Sequence, residues 1–275
     1  MVFSIPVLCP MPEMTHIHDG VVIGGGLAGS ALAILLAGQG KDIVLLEKEA
    51  RPHHKVCGEF LSRKAVDYLR ILNVDPEKSG AHHIHSFRLV DGKNSIAGIL
   101  PSPGWSLSRL ILDEILLQRA EEAGAIVKRG STVRNFSWQG NAWEAQISKQ
   151  PAERGHHIFL ASGKYDLRHW KRDAHPADLI GFKMYFRLCP EQSKALSGHS
   201  EIILIEGGYA GLQLSGNRQA NLCFLVNKGI FRQCGKNWDR LLIWLIGQSP
   251  HLEKRLGGAQ ELWARPESIY QIPYG

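Results

Sequence analysis

The sequence of 275 residues lacks most of the patterns that assign a function directly. No apolar run approaches the roughly 18 residues that a membrane-spanning helix needs, so we expect no integral membrane segment. The formal net charge is +6, but no run of five like charges occurs, which argues against a nucleic-acid-binding surface. The G-x-S-x-G, H-E-x-x-H and P-loop motifs are also absent, which argues against the enzyme classes that depend on them.

Cysteine is scarce and odd in number, and no two cysteines have C-x-x-C spacing. This usage favours a reducing compartment, so we expect a cytoplasmic protein without a structural disulfide or zinc site. The five cysteines are Cys9, Cys57, Cys189, Cys223 and Cys234. Three groups of histidines lack the carboxylates and ligand spacing of a metal site, so no metal site is expected. These groups are His53–His54, His82–His83 with His85, and His156–His157.

A glycine-rich segment lies between two short apolar runs, Val21 to Ile23 and Ile43 to Leu46. Gly24, Gly26 and Gly29 fit the pattern G-x-G-x-x-G, and a helix is predicted from Leu27 to Gln39. A strand before the glycines and a helix after them is the context in which this motif indicates a dinucleotide-binding site.

Each part of this segment has a physical reason. Gly24 permits a tight turn, Gly26 lets the backbone approach a diphosphate, and Gly29 allows close packing of helix and strand. Glu47 follows at the distance expected for a carboxylate that accepts hydrogen bonds from ribose hydroxyls. The pattern therefore predicts an ADP-ribose site, for FAD or for NAD. We assign the following residues to it: Gly24, Gly26, Leu27, Ala28, Gly29, Glu47 and Lys48.

Further along the chain, the pattern alternates between helices and strands. We predict helices from Ser62 to Leu72 and from Ser108 to Gly124, each after a capping serine. A hairpin turning at Asp91–Gly92 lies between them, and Pro101, Pro103 and Gly104 are expected to end its second strand. A strand at 125–128, a hairpin over 131–147 and a strand at 157–161 follow.

The second half is predicted to form a mainly antiparallel sheet. Its strands fall at 180–188, 201–206, 210–215 and 220–226, separated by glycine-rich turns and one long polar loop. Helices are predicted at 237–246 and near 251–256, followed by a strand at 268–272.

Four segments in one order resemble FAD-dependent oxidoreductases of the geranylgeranyl-reductase type, which share a fold with p-hydroxybenzoate hydroxylase and the flavin halogenases. The segments are the glycine motif, KVCGEFLS at 55–62, LSRLILDEILLQRAEEAGA from Leu107, and ASGKYDLR at 161–168. The resemblance implies an α/β fold with a Rossmann-like FAD-binding domain and a mainly antiparallel substrate-domain sheet. It implies an FAD-binding domain at 18–80 and 105–175 and a substrate domain at 81–104 and 176–275. Residues 1–17, whose apolar start is broken by three prolines, are expected to be a loosely ordered extension.

The resemblance also assigns residues to the cofactor. Arg109 would lie near the flavin-side phosphates or the ribityl chain. Val133 would give the adenine a backbone contact, and Gly163 would lie near the diphosphate. Ser162 stands where the family has an aspartate that supports pyridine-nucleotide binding. NAD(P)H is a candidate electron donor. Because Ser162 replaces that aspartate, direct use of NAD(P)H by the hydroxylase route is disfavoured.

Cys57 is the one candidate catalytic residue. In the reductases resembled here, its segment approaches the flavin ring, where a thiol could pack or donate a proton; a buried inert cysteine is an equal alternative. For Glu59 we favour a role as a first-turn acid of the following helix over a role in proton relay.

Members of the family continue beyond the substrate sheet, so the resemblance implies that this chain is truncated at its C-terminus. Halogenases of the family carry W-x-W-x-I-P near this point, where this chain has Ser268 and Tyr270 before Ile272–Pro273. This difference argues against halogenation.

The sequence thus predicts an FAD-dependent oxidoreductase, of the reductase or monooxygenase type, acting on a small or prenyl-like apolar substrate in a mostly apolar pocket. The alternative is a catalytically inactive fragment that binds only the ADP part of FAD, or no cofactor. An NAD-dependent dehydrogenase is disfavoured because no catalytic histidine or Lys/Tyr pair follows the glycine motif.

Overall fold

A computed structural model describes residues 16–171 and 178–270 of the chain. The predicted N-terminal extension, apart from its last two residues, and Ile272–Pro273 lie outside these ranges. The strands are β1 (Ile17–Ile23), β2 (Ile43–Glu47), β3 (Phe60–Leu61), β4 (His82–Asp91), β5 (Asn94–Ser106), β6 (Ile126–Arg129), β7 (Val133–Trp138), β8 (Trp143–Ile147), β9 (Glu153–Leu160), β10 (Leu179–Arg187), β11 (His199–Ile205), β12 (Gly208–Ser215), β13 (Gln219–Asn227), β14 (Gln260–Glu261) and β15 (Glu267–Tyr270). The helices are α1 (Leu27–Ala37), α2 (Arg63–Ile71), α3 (Arg109–Glu122), α4 (Pro190–Leu196), α5 (Lys228–Gln233), α6 (Trp238–Gly247) and α7 (Pro250–Leu256).

The first sheet is the predicted Rossmann-like unit. Its strand order is β6-β2-β1-β9-β8-β7, with β6, β2, β1 and β9 parallel and the β7–β8–β9 meander antiparallel. Apolar residues of β1 and β2 point to both faces, as expected for parallel strands buried on both sides. Helices α1 and α3 pack on one face, with Val22 and Leu45, and the meander packs on the other, with Val21 and Val44.

The second sheet is mainly antiparallel, as predicted, and its main path is β14-β10-β13-β12-β11-β4-β5-β3. The pairing of β4 with β11 is parallel, and β15 pairs with β10. Phe182, Leu212 and Phe224 point to one face and pack against α5, α6 and α7 in the largest apolar core. This core anchors the sheet, so its opposite face is available to meet the Rossmann-like unit.

Two local predictions were wrong. The prolines do not end β5, which continues to Ser106. Its pairing with β4 shifts between Ile84–Gly104 and Ser86–Ile99, so both prolines lie in the irregular span where a missing N–H costs no ladder bond. The long polar loop before β11 contains α4, a helix of seven residues that begins at Pro190, a favoured first helical residue.

Among the described residues, no helix is both long enough and apolar enough to cross a membrane.

A buried ion network joins α7 to the second sheet. Glu201 of β11 is fully buried and accepts hydrogen bonds from Arg255 at 2.7 Å and His251 at 2.7 Å, and it also pairs with Arg88. Burial acts to raise the pKa of Glu201, but the bonds from His251 and Arg255 outweigh it and lower this pKa to about 2. The carboxylate therefore stays charged in the folded protein.

We expect Glu201→Gln to lower the free energy of unfolding by about 3–5 kcal/mol, because it leaves the buried Arg255 without its counter-ion. Urea unfolding at pH 7 measures the loss. The control is Glu253→Gln on the exposed side of α7, for which a change of less than about 0.5 kcal/mol is expected. Because the folded pKa lies below the ordinary value of 4.5, the stabilisation is present above pH 4.5 and is lost as the pH falls towards 2. Equal losses in both variants would contradict this role.

Candidate functional site

The glycine turn between β1 and α1 has the geometry that a diphosphate requires. Gly24 has a φ of +109°, and a Cβ there would lie 2.4 Å from the carbonyl oxygen of Ala161. A Cβ on Gly29 would lie 1.9 Å from the carbonyl oxygen of Gly24. A Cβ on Gly26, by contrast, would have no atom within 4 Å. Gly24 and Gly29 therefore serve close packing inside the protein, and Gly26 faces open space.

The start of α1 can accept an anion. No side chain caps this helix, and its first turn carries no acidic residue. The unpaired N–H groups and the helix dipole therefore offer a favourable site for phosphate beside Gly26. Leu27 and Ala28, two of the predicted contacts, are exposed in this first turn.

Glu47 lies at the end of β2, beside the glycine turn, as predicted. Its carboxylate accepts hydrogen bonds from the backbone N–H of Gly25 at 2.7 Å and of Glu49 at 2.9 Å. These bonds orient a side chain that is only 7% exposed. Each carboxylate oxygen retains a second acceptor site, so the group can still receive ribose hydroxyls.

A shallow cleft runs from Gly25 and Glu47 to the side of α3. Its walls combine basic and acidic side chains with the apolar Leu110 and Leu117. The remaining lining residues are Glu49, Arg51, Pro52, His53, Lys55, Asp113, Glu114 and Arg129. Two of the basic residues are already paired within the cleft, Lys55 with Asp113 and Arg129 with Glu114.

Arg109 begins α3 beside this cleft, but its guanidinium is already paired. Nε and Nη2 donate to the two oxygens of Asp113 at 2.7 and 3.1 Å, and Lys55 lies 3.3 Å from the same carboxylate. Burial acts to lower the pKa of Arg109, but Asp113 outweighs it and raises this pKa. A phosphate that reached Arg109 would compete with Asp113.

Three further predicted residues have defined positions. Lys48 places its ammonium 3.8 Å from the centre of the Tyr165 ring, which ties β2 to the 161–168 segment. Gly163 has a φ of +64° and lies in that segment, just beyond Ala161. Val133 is buried at the start of β7, and the nearby Ser131 N–H donates to the Glu47 carbonyl at 2.8 Å. Lys48, Gly163 and Val133 thus lie on segments that contact the Glu47 strand or the glycine turn.

The prediction that Glu59 is a first-turn acid of α2 was wrong. The helix begins at Arg63 and is capped by Ser62, whose hydroxyl accepts from the Ala65 N–H. Glu59 has a φ of +65°, an unfavourable conformation for a residue with a side chain, and is 2% exposed. Its carboxylate points instead into the second sheet, where polar side chains satisfy it.

Glu59 is the centre of a buried polar cluster. Its carboxylate receives Lys183 Nζ at 2.5 Å, the Tyr185 hydroxyl at 2.7 and 2.8 Å, and the Ser215 hydroxyl at 2.8 Å. The Glu59 carboxylate also accepts hydrogen bonds from the Asn221 side chain at 3.3 Å and from the backbone N–H of Arg109 at 3.1 Å. The cluster therefore joins β10, β12 and β13 to the start of α3 and to the segment that carries Cys57.

The position of this cluster changes the expected character of the substrate wall. Lys183, Tyr185 and Asn221 point to the face of the sheet opposite the large apolar core, since neighbours along a strand alternate faces. We predicted a mostly apolar pocket against this sheet, but the part nearest Glu59 is polar. The prediction failed because the strand pattern shows that one face of the sheet is polar but does not show which part of the protein that face contacts.

Electrostatics keep several groups near the cluster uncharged. Burial and the charge of Glu59 raise the pKa of the Tyr185 hydroxyl. Burial raises the pKa of the Cys223 thiol to about 12, with a further contribution from Cys57. Burial and the neighbouring Lys183 lower the pKa of His54, whose ring contacts those of Tyr185 and Trp263. A neutral tyrosine, thiol and imidazole thus surround one compensated ion pair.

Cys57 lies at the edge of this cluster and is partly exposed. Its sulfur accepts a hydrogen bond from the Glu59 N–H at 3.3 Å, and its carbonyl receives Asn221 at 3.0 Å. The next residue, Gly58, is exposed, and a Cβ there would have no atom within 4 Å. The segment is therefore held rigidly on one side and faces open space on the other.

We expect Lys183→Met to lower the free energy of unfolding by about 3–5 kcal/mol, because it leaves the Glu59 charge buried without its partner. Adding Glu59→Gln should recover most of that loss, since the uncompensated charge is then removed. Urea unfolding of the single and double variants measures both effects. Lys194→Met, on the exposed side of α4, is the control. If it destabilised the protein as much as Lys183→Met does, the proposed importance of the buried pair would be wrong.

Comparisons with known proteins agree with this architecture. Residues 18–159, just over half of the chain, match the family model described as FAD binding domain. The described residues share the fold of the flavin-dependent brominase Bmp2, with a TM-score of 0.76 at 20% identity, over 92% of this chain and 67% of that one.

Two curated relatives carry the names of reductases. Menaquinone reductase of Mycobacterium tuberculosis is 33% identical over 120 residues, covering 41% of this chain and 29% of the relative. Digeranylgeranylglycerophospholipid reductase 2 of Methanopyrus kandleri is 32% identical over 111 residues, covering 40% of this chain and 27% of the relative. The chain spans less than a third of the length of these relatives. On the family match and the shared fold, the chain belongs to the FAD-binding domain family, as the resemblance implied.

Proposed function

We propose that the protein is an FAD-dependent oxidoreductase, of the reductase or monooxygenase type, that acts on a small or prenyl-like apolar substrate. The observation that carries this proposal is the open space at Gly26, beside an uncapped helix start and within reach of the oriented Glu47 carboxylate. A helix start without a protein anion and a neighbouring sugar acceptor are what the ADP half of FAD requires.

The residues around the cleft fit this cofactor in order. The backbone N–H groups at the start of α1, at Gly26, Leu27 and Ala28, would hold the diphosphate. The Glu47 carboxylate would accept hydrogen bonds from the ribose hydroxyls. Val133 would contact the adenine, and Gly163 would lie near the diphosphate. Arg109 and Lys55, which share Asp113, would bind the flavin-side phosphate. When bound, FAD supplies the redox chemistry, and the protein supplies orientation and electrostatics.

The substrate would lie between the second sheet and the segment at Cys57 and Gly58. The exposed Gly58 permits close approach of a flat ring to the backbone there. The names of the two reductases support a prenyl-like substrate, and the polar cluster behind Cys57 would favour one that also carries a polar group. NAD(P)H remains a candidate electron donor. We propose a cytoplasmic location because the cysteines are odd in number and none has C-x-x-C spacing, a usage that suits a reducing compartment.

A comparison of ligands tests whether the whole cofactor binds. Full-length protein, freed of flavin, is titrated with FAD and separately with ADP-ribose by calorimetry. If the flavin half is held, FAD should bind at least about tenfold more tightly, which corresponds to about 1.4 kcal/mol. Equal affinities would favour the alternative, a fragment that binds only the ADP part. If neither FAD nor ADP-ribose binds, the cofactor assignment is wrong.

The reaction type requires a second measurement. Protein loaded with FAD is reduced by dithionite without oxygen and mixed with a prenylated quinone or with geranylgeraniol. Reoxidation of the flavin by either probe without oxygen supports a reductase. Reoxidation that needs oxygen and yields a hydroxylated probe supports a monooxygenase. If neither probe changes the rate of reoxidation or the products, the proposed substrate class is wrong.

We expect Gly26→Val to reduce FAD affinity by at least tenfold, because its side chain would occupy the space that a diphosphate needs. A Cβ at residue 26 has no atom within 4 Å apart from its chain neighbours, so the melting temperature without FAD should stay close to that of the parent. Gly247→Ala, at the end of α6, is the matched control, since a Cβ there also has no atom within 4 Å. Retention of FAD at the parent level by Gly26→Val would contradict the site.

A further inference from the structure

A second cluster of potential ligands lies at the opposite end of the parallel strands from Gly24 and Glu47. His16 precedes β1 and His18 lies within it, and Asp42 immediately precedes β2. The parallel pairing of Gly20 with Ile43 brings these positions together. Donor atoms of the three side chains all lie within 4.8 Å of one another. The cluster therefore does not overlap the cofactor cleft.

The backbone holds Asp42 in place. Its N–H donates to the Asp19 carboxylate at 3.0 Å, and its carbonyl accepts from the Gly20 N–H at 3.3 Å. His16 Nε2 lies 2.5 Å from one oxygen of the Asp42 carboxylate, and His18 Nδ1 lies 3.0 Å from both. Two imidazoles thus converge on one fixed carboxylate.

His18 has a carboxylate at each of its two ring nitrogens. Nδ1 faces Asp42, and Nε2 lies 3.3 Å from Glu153, which also pairs with Lys128. A neutral imidazole has a single N–H and can donate to only one of these groups. When Nε2 donates its proton to Glu153, the Nδ1 lone pair faces Asp42 and is available to a metal ion.

We propose that His16, His18 and Asp42 form a binding site for a divalent transition-metal ion such as Zn²⁺. Imidazole nitrogens and a carboxylate are ligands that this class of ion accepts at about 2.0–2.2 Å. Glu153 accepts the Nε2 proton of His18 and so directs the Nδ1 lone pair to the metal, as carboxylates behind metal-bound histidines do. His16 is largely exposed, so water completes the coordination.

The site would join β1 to β2 and has no part in redox chemistry, so it does not rest on the proposed function. The proposal also departs from the expectation that the protein has no metal site. That expectation was based on three other groups of histidines. His16 and His18 are separated from Asp42 by more than twenty residues, and only the pairing of the two strands brings them together.

Zinc titration of untagged, full-length, metal-free protein tests the proposal. Calorimetry should show one Zn²⁺ ion whose binding is weakened at least tenfold by His16→Ala and by Asp42→Asn. Glu153→Gln should weaken it by about tenfold, as expected for a residue that orients a ligand. Zinc should raise the melting temperature of the parent, and this rise should be lost in His16→Ala.

His83→Ala, which removes an exposed histidine on β4, is the matched control and should bind zinc as the parent does. His16 is exposed, so its replacement keeps the test valid even if Asp42→Asn fails to fold. If the parent binds no zinc, or if His16→Ala binds it with unchanged affinity, the proposal is wrong. The cluster would then be a set of hydrogen-bonded side chains that joins β1 to β2.

Discussion

The buried pairing of Glu59 with Lys183 is the centre of the polar cluster through which the second sheet contacts the start of α3. Both side chains are fully shielded from water, and three different strands and the first residue of α3 supply the remaining hydrogen bonds. Removing two charges from water is costly unless they compensate each other, so the pair holds the segment at Glu59 against β10. The unfavourable φ of Glu59 indicates that the surrounding contacts are strong enough to impose it.

This constraint connects the cofactor cleft with the proposed substrate wall. Glu59 receives the N–H of Arg109 at the start of α3, and its own N–H meets the sulfur of Cys57. Glu59 therefore links the segment that carries Cys57 to the start of α3. The apolar core on the far face of the sheet, together with the Glu201 network, keeps that sheet a single rigid layer. The geometry of the candidate site thus depends on interactions at some distance from the glycine turn.

Much of the fold and part of the site could be predicted because the signals were local. The strand, turn and helix around Gly24 to Gly29 follow from the conformational needs of adjacent residues. The strands of the second sheet follow from strand-like runs that glycine-rich turns and a polar loop separate. Local patterns failed where the cause was distant. The prolines of β5 are tolerated because of an irregular pairing with β4, and Glu59 turns away from α2 because Lys183 lies on a strand more than a hundred residues later.

The sequence by itself determined the presence of a dinucleotide-binding turn, since glycines, apolar runs and Glu47 act through neighbouring backbone. It also determined the mixed α/β character of the chain, which hydrophobic periodicity encodes. Only the tertiary structure decided which charged side chains are buried together, as in Glu59 with Lys183 and Glu201 with Arg255. Burial removes the water that would otherwise solvate each charge, and the partner that replaces this water is selected by strand pairing between segments far apart in the chain.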